Sequence, residues 1–474
     1  MKPFIAGLLA AGVFIGGAQA AEPVKAKVET GVLVGQADNG VSVFRRVPFA
    51  RPPVEDLRWA PPKRADNWSG EREAVKDGPA CVQRMSADGR PNGGGASGEI
   101  SEDCLTLNVF APTGAKAAPV MVWLHGGANS LGSGKIYNFT PTAGQGVVVV
   151  SVNYRLGALG FFAHPALTAA ADEAEPLANY GLMDQIAALQ WVKRNAAAFG
   201  GDPNNVTVFG ESAGAMDIYA LLAAPAAKGL FHKAILQSNI GWGNSPSLKE
   251  AEANGVKFAE SFGAPAGASV DQLRALPVEK ILAGRAGAAI VADGRLIKEP
   301  TLDAFKAGRM IDVPTIIGWN SYEASLRQST GAAADAFTDG QAGAPNRWIA
   351  SRLETGAPAY LYHFSYVRES ERASAVGAAH ASEIPYAQNT LRRPNQPEPT
   401  AADQAMATTM NACWVTFAKT GKPSCGGLDW PAYSAASDQL MEFGAASGVR
   451  ANFRKAQLDQ AQASVVGPRE TAAR

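Results

Sequence analysis

The stretch Val206-Thr-Val-Phe-Gly-Glu-Ser-Ala-Gly214, continued by Ala215-Met-Asp-Ile-Tyr-Ala-Leu-Leu222, reads as a strand, a glycine-bracketed turn and a helix. The β-branched and aromatic run Val206 to Phe209 favours an extended segment. A serine at a sharp strand-to-helix turn projects its hydroxyl above the sheet, and the flanking glycines are needed because a Cβ there would clash in the strained backbone. The helix that follows turns its positive end and its unpaired N–H groups toward that oxygen. In a chain with 50 Gly the pattern G-x-S-x-G also arises by chance in loops. The strand before it and the helix after it make Ser212 a candidate nucleophile.

Working outward, Pro119 to Leu124 and Gly146 to Asn153 are nearly continuous apolar runs, as expected for parallel strands covered on both faces. Further strands are predicted at 234–238, 312–318 and 359–365. Leu182, Ile186, Leu189 and Val192 form one stripe of a helix over 182–199, and further helices are predicted over 250–262 and 401–419. This alternation implies an α/β fold, a mostly parallel sheet with helices on both faces. Asp88 to Gly98 and Ser329 to Pro345 read as surface loops or insertions. Directly after the strand ending at Leu124 comes His125-Gly-Gly-Ala128, where glycines let backbone N–H groups approach a developing oxyanion.

Composition removes several function classes. Among 474 residues, 43 Lys+Arg balance 43 Asp+Glu, so there is no broad basic field for nucleic acid. Four Cys are too few for a disulfide-built miniprotein, and the scattered His residues form no metal-ligand pattern, so no metal or cofactor is expected. The N-terminus carries one Lys, an apolar run from Phe4 to about Gly17 and then Ala18-Gln19-Ala20. This is the layout of a secretory leader, residues 1–20, cut after Ala20. The run is shorter than the roughly 20 residues that span a bilayer, so no membrane anchor is expected. The implied location is exported, periplasmic or secreted, where an even Cys count reads as disulfides.

The chain resembles the type-B carboxylesterase and cholinesterase-like family of α/β hydrolases, in its bacterial para-nitrobenzyl-esterase-like form. Phe199 to Gly214 is similar to the family's nucleophile signature throughout. Glu102-Asp-Cys-Leu-Thr-Leu-Asn-Val-Phe-Ala-Pro112 is similar to its second signature, and Pro48 to Pro53, Leu57-Arg-Trp59, Asn153 to Gly157, Asn179 to Gln185 and Trp414 to Gly421 extend the resemblance over most of the chain. It implies one α/β-hydrolase domain over residues 21–474, in place of the two or three domains that length alone suggests. It also implies a small-molecule ester as substrate; the oligomeric state stays open.

An α/β hydrolase places its triad in the order Ser, acid, His. After Ser212 come His232, His363 and His380. His232 precedes a strand and His363 lies inside one, whereas Gly377 to Tyr386 resembles the family's catalytic-histidine segment, which assigns the base to His380. Glu323, in Gly318-Trp-Asn-Ser-Tyr-Glu323, matches the position of the family's acid, with Tyr322 where an acidic residue often stands; Asp293 and Asp312 are rivals. The resemblance gives the oxyanion hole to the N–H groups of Gly127, Ala128 and Ala213. Cys81–Cys104 matches the family's N-terminal bridge. Cys413 and Cys425 are close enough in sequence for a second, local one.

Three departures stand out. Ala128 replaces the third glycine of the oxyanion loop, and Asn129 stands where an aromatic is common, with an expected effect on the substrate pocket. Only 57 residues separate Glu323 from His380, where the family commonly carries a longer helical insertion. A reduced lid and an open site follow, with substrate range decided in that short segment. Alternatives to a simple carboxylesterase are a carbamate, lactone or bulky xenobiotic-ester hydrolase, and a non-catalytic cholinesterase-like binding protein.

Overall fold

The computed structural model describes residues 23–284, 288–354, 356–392 and 396–467. The expected leader, residues 1–20, lies outside them. Twelve strands lie side by side: β1 (Pro23–Val28), β2 (Gly31–Asp38), β3 (Val41–Pro48), β4 (Thr106–Pro112), β5 (Ala118–Leu124), β6 (Val148–Val152), β7 (Gly201–Glu211), β8 (Lys233–Gln237), β9 (Thr315–Asn320), β10 (Ala359–Phe364), β11 (Gln439–Phe443) and β12 (Gly448–Ala451). Their spatial order is β1-β2-β3-β4-β6-β5-β7-β8-β9-β10-β11-β12, and a further short strand, Glu71–Glu73, pairs with β2. From β6 to β11 neighbouring strands are parallel; at both edges the pairing is antiparallel. The fold is that of an α/β hydrolase.

The strand sequences explain the layering. Alternate residues of a strand point to opposite faces. On β5, Val120, Val122 and Leu124 join the core shared with helices α1 (Tyr180–Asn195), α2 (Ala213–Leu222) and α3 (Ala344–Leu353). Met121 and Trp123 join the opposite core, under helix α4 (Ala401–Thr420), where Met410, Trp414 and Phe417 pack. Both faces are therefore dry, and the apolar runs of the sequence are strands buried on two sides. Helix α4 is closed at its start by a reciprocal bond pair between Thr400 and Asp403, and at its end by Gly421 at φ 78°.

The expected central strands and helices are present, with two differences. Strand β7 begins at Gly201, five residues early, because a register shift between Gly201 and Val206 lets both pair with β5. The stretch Ser329 to Pro345, read as a loop, is helical: Gly331–Thr338 forms an α-helix, Asp339–Gly343 one π-helical turn, and α3 follows with Pro345 in its first turn. The alanines at 332–334 favour helix. Asp339 is held by Arg454 at 2.7 and 2.6 Å, and Gly343 sits where a Cβ would come within 2.7 Å of the Leu458 side chain.

Among the described residues no helix is long and apolar enough to cross a membrane. Two disulfides form, Cys81–Cys104 and Cys413–Cys425. The first closes the loop that contains 88–98. That loop is fastened again by Asn92, whose Oδ1 accepts from the N–H groups of Gly94 and Ala96. A bridge across 23 residues restricts the unfolded chain, worth about 3 kcal/mol in the chain-entropy account. Replacing Cys81 and Cys104 together by Ser should lower the stability read from a urea midpoint by about that amount; an unchanged midpoint would show that the bridge contributes nothing.

Candidate active site

At the C-terminal end of β7 the chain turns directly into α2, and Ser212 occupies the corner at φ 56°, ψ −120°. Such a conformation costs a non-glycine residue on the order of 1–3 kcal/mol and persists only where its surroundings enforce it. The enforcement is close backbone packing. A Cβ on Gly214 would lie 2.0 Å from the Leu124 carbonyl oxygen, and one on Gly210 would lie 2.6 Å from the same atom. Any side chain at either position would push the corner off the end of β5.

The loop after β5 passes over this corner. A Cβ on Gly126 would meet the Glu211 carboxylate at 2.7 Å and the Ser212 Cβ at 3.1 Å, so only glycine fits there. Gly127, Ala128 and Asn129 follow with φ of 106°, 54° and 53°. Among the described residues none accepts a hydrogen bond from the backbone N–H of Gly127, Ala128 or Ala213, so the three expected oxyanion donors are unused by the protein. The His125 ring is buried, which lowers its pKa to about 4 and keeps it neutral; its Nδ1 lies 2.8 Å from the Gly126 carbonyl and stacks on Tyr154.

Glu323 and His380 come from two chain segments zipped together beyond β9. The Tyr322 N–H donates to Ala378 O, the Ala378 N–H to Ser321 Oγ, the His380 N–H to Ser325 Oγ, and Asn320 Nδ2 to Ala379 O. Glu323 is fully buried; the Asn320 N–H donates to its Oε1 at 2.7 Å, and its Oε2 lies 2.5 Å from His380 Nδ1. The other imidazole nitrogen, Nε2, has Glu211 Oε1 3.1 Å away without a hydrogen bond between them; the contact is an ion pair when the imidazole is protonated. Ser212, His380 and Glu211 line one cavity of about 830 Å3 together with Gly127 and Ala128.

The rivals lie elsewhere. Asp293 caps a turn, accepting from the N–H groups of Leu177, Leu296 and Ile297. Asp312 accepts from the Ala357 N–H, before the start of β9. His232 accepts from the Val206 N–H, and His363 packs against Trp319 and Phe453 beside Glu442.

Sequence reasoning missed the surrounding charge. A third carboxylate, Glu383, is buried one turn beyond His380; it accepts from Asn320 Nδ2 at 2.5 Å and from Gln237 Nε2 at 3.3 Å, and Gln237 in turn accepts from Trp414 Nε1. Burial raises the Glu211 pKa to about 8 and that of Glu383 to about 6. For His380 burial acts downward, but Glu211, Glu323 and Glu383 outweigh it and raise the imidazole to about 10. The spacing His380-x-x-Glu383, and the place of Glu211 immediately before the serine, were the available signals.

Two expectations about the walls are corrected. Asn129 does not line the cavity; its side chain turns inward onto Asp217. The segment between Glu323 and His380 contributes Leu326 alone, because α3 packs on the sheet and not over Ser212. The walls come instead from Gly93 to Gly95, from Leu131 to Asn138 and from 381–392.

Strand, corner and cavity define an α/β hydrolase with a serine at the strand-to-helix corner. Comparison with known proteins narrows this. The model of the carboxylesterase family matches residues 22–333 and 324–461. A fumonisin B1 esterase of Sphingopyxis macrogoltabida is 33% identical over 90% of this chain and 89% of its own, and a para-nitrobenzyl esterase of Bacillus subtilis (strain 168) is 34% identical over 85% and 91%. A solved PNB esterase structure superposes with a TM-score of 0.82 at 31% identity, covering 91% of this chain and 98% of that one. A Geobacillus stearothermophilus carboxylesterase gives 0.78 at 30%, with the same coverage. The chain belongs to the carboxylesterase family and is a hydrolase of carboxylic esters.

The packing at the corner makes a direct prediction. Gly214→Ala forces a Cβ into the Leu124 backbone and should cost about 3 kcal/mol or more. Gly229→Ala, at φ 74° with open space around it, should cost about 1 kcal/mol. Thermal unfolding of the two variants distinguishes them; equal shifts would mean the corner is not held by that contact.

Proposed function

We propose that this protein is an exported serine carboxylesterase, folded as one domain over residues 21–474, that works through Ser212, His380 and Glu323 by way of an acyl-enzyme. The observation that carries the reading is that a strained Ser212 and His380 line one cavity, with His380 coupled to the buried Glu323. An unassisted serine hydroxyl is a poor nucleophile, so it needs a base within reach. In this reading His380 takes the Ser212 proton as the oxygen attacks the ester carbonyl, then returns it to the departing alcohol. Glu323 holds the imidazole tautomer and stabilises its cation. The N–H groups of Gly127, Ala128 and Ala213 receive the oxyanion; losing one such donor typically costs about 10²–10³ in kcat. Water then attacks the acyl-Ser212 with His380 again as base, releasing the acid and restoring the serine.

Export is supported by the two disulfides, which persist in oxidising compartments. A cavity of about 830 Å3 favours a bulky ester over a short one, since it lies in the upper part of the roughly 300–1,000 Å3 range of pockets that take drug-sized ligands. Relatives named fumonisin B1 esterase and phenmedipham hydrolase fit that preference.

A p-nitrophenyl ester series of increasing acyl length, on wild type and Ser212→Ala, tests the proposal. The expected result is wild-type turnover with loss of activity by at least about 10³ in the variant; equal activity in both would sink it. The pH profile tests the base. A neutral imidazole is required, and the surrounding carboxylates hold its pKa above the ordinary 6.5, so kcat/KM should rise with pH through a point above that value. Glu211→Gln removes one raising charge and should move this acid limb to lower pH; an unmoved limb would remove Glu211 from the electrostatics of the base.

A further inference from the structure

Asp217 is a fully buried acid that the ester-hydrolysis chemistry does not use. It sits on α2, five residues after Ser212, outside the lining of the cavity and bonded to the loop after β5. Asn129 Nδ2 donates to its Oδ1 at 2.8 Å, and Gln185 Nε2, from α1, donates to its Oδ2 at 2.5 Å. No cation pairs with it among the described residues; burial raises its pKa to about 7, and these two amides act against that rise. A buried carboxylate with neutral partners alone is a costly thing to keep in a core.

What it holds is the loop. Ala128 and Asn129 are consecutive left-handed residues that are not glycine, a conformation the backbone leaves unless it is pinned. The pins converge on Asn129. Its side chain is bound to Asp217, its Oδ1 lies 3.3 Å from the Tyr154 hydroxyl oxygen, and its carbonyl accepts from the Gly157 N–H at 2.6 Å. The same Tyr154 hydroxyl donates to His125 O at 2.6 Å, at the other end of the loop. Asp217 thus connects the loop bearing the Gly127 and Ala128 N–H groups to the helix that begins with the Ala213 N–H. All three expected oxyanion donors are referenced to one carboxylate.

We propose that Asp217, acting through Asn129, is a positioning residue for the oxyanion hole, setting the Gly127 and Ala128 donors relative to the Ala213 donor. The proposal rests on the serine-esterase reading above. It fits the inward turn of Asn129: the side chain at that position anchors the loop and does not shape the pocket.

The test uses the full-length enzyme with a p-nitrophenyl ester and, as a mimic of the tetrahedral state, a trifluoromethyl ketone that adds to Ser212. Asp217→Ala and Asn129→Ala should each lower kcat by roughly 10- to 100-fold, the range of a displaced or lost donor, with KM within about twofold. Affinity for the ketone should fall by the same factor as kcat. Asp217→Asn keeps an acceptor for Asn129 once Gln185 turns its amide, and should lose less than Asp217→Ala. If folded Asp217→Ala and Asn129→Ala keep wild-type kcat and ketone affinity and lose only thermal stability, the tether is structural and the proposal fails. If Asp217→Ala does not fold, Asn129→Ala alone decides. Ser212→Ala is run beside them: should it retain activity, the esterase site itself is misplaced, whereas an inactive Ser212→Ala with wild-type kcat in Asn129→Ala overturns the positioning role only.

Discussion

The contact between the end of β5 and the corner at Ser212 governs the arrangement of everything else in the site. The Leu124 carbonyl stands where a side chain on Gly210 or Gly214 would have to be, so strand β7 and helix α2 press backbone to backbone against β5. This approach holds Ser212 at φ 56° and brings its Cβ against Gly126. The loop after β5 consequently lies on the corner, and its N–H groups share one cavity with the serine. Strain at the serine, closeness of the loop and direction of the helix follow from a single steric constraint, which glycine alone satisfies.

The electrostatics are built on a conflict. Glu211, Glu323 and Glu383 are three buried carboxylates around one imidazole, and desolvation opposes charge on Glu211 and Glu383. One imidazolium cannot balance three anions at low dielectric. Burial therefore pushes Glu211 and Glu383 upward, and the burden of fixing His380 falls on Glu323, whose Oε1 is bonded to the Asn320 N–H and whose Oε2 faces Nδ1. Glu383 is tied into the sheet through Asn320 and Gln237, and Gln237 is tied in turn to Trp414 of α4, so a chain of bonds fixes this carboxylate near the imidazole.

Legibility in the sequence followed locality. Ser212 and its glycines could be read because strand, turn and helix are contiguous, and the buried strands because their apolar runs are unbroken. His380 and Glu323 needed chain order and family resemblance, since 57 residues separate groups that touch. Nothing in a one-dimensional pattern marks Asp217 as the partner of Asn129, 88 residues away, or Gln237 as the partner of Glu383. The helical character of 331–345 was hidden for a different reason. Its glycines and Pro345 resemble loop punctuation, while Gly343 packs against Leu458 and Trp319 and Arg454 holds Asp339 from elsewhere in the chain.

The short segment between Glu323 and His380 acts on the cavity by what it leaves out. Since it supplies Leu326 alone, other chain must make the wall opposite: Gly93 to Gly95 and Leu131 to Asn138, which hold one 3-10 turn, Gly134–Ile136, and otherwise no regular structure. Chain of that kind is ordinarily mobile, because it lacks a ladder of backbone bonds. Here it is held from three sides. Cys81–Cys104 closes the loop, Gln83 bonds both the N–H and the carbonyl of Gly132, and Asn92 bonds Gln83. A Cβ on Gly94 would come within 2.6 Å of the Gly132 nitrogen, so the two loops touch as backbone. The wall is thus a pair of clamped loops that bring Leu131, Ile136 and Tyr137 to the cavity beside the bare backbone of Gly93 to Gly95. The cavity over Ser212 keeps its shape because a disulfide, the buried Gln83 amide and the half-buried Asn92 amide fasten the loops that line it.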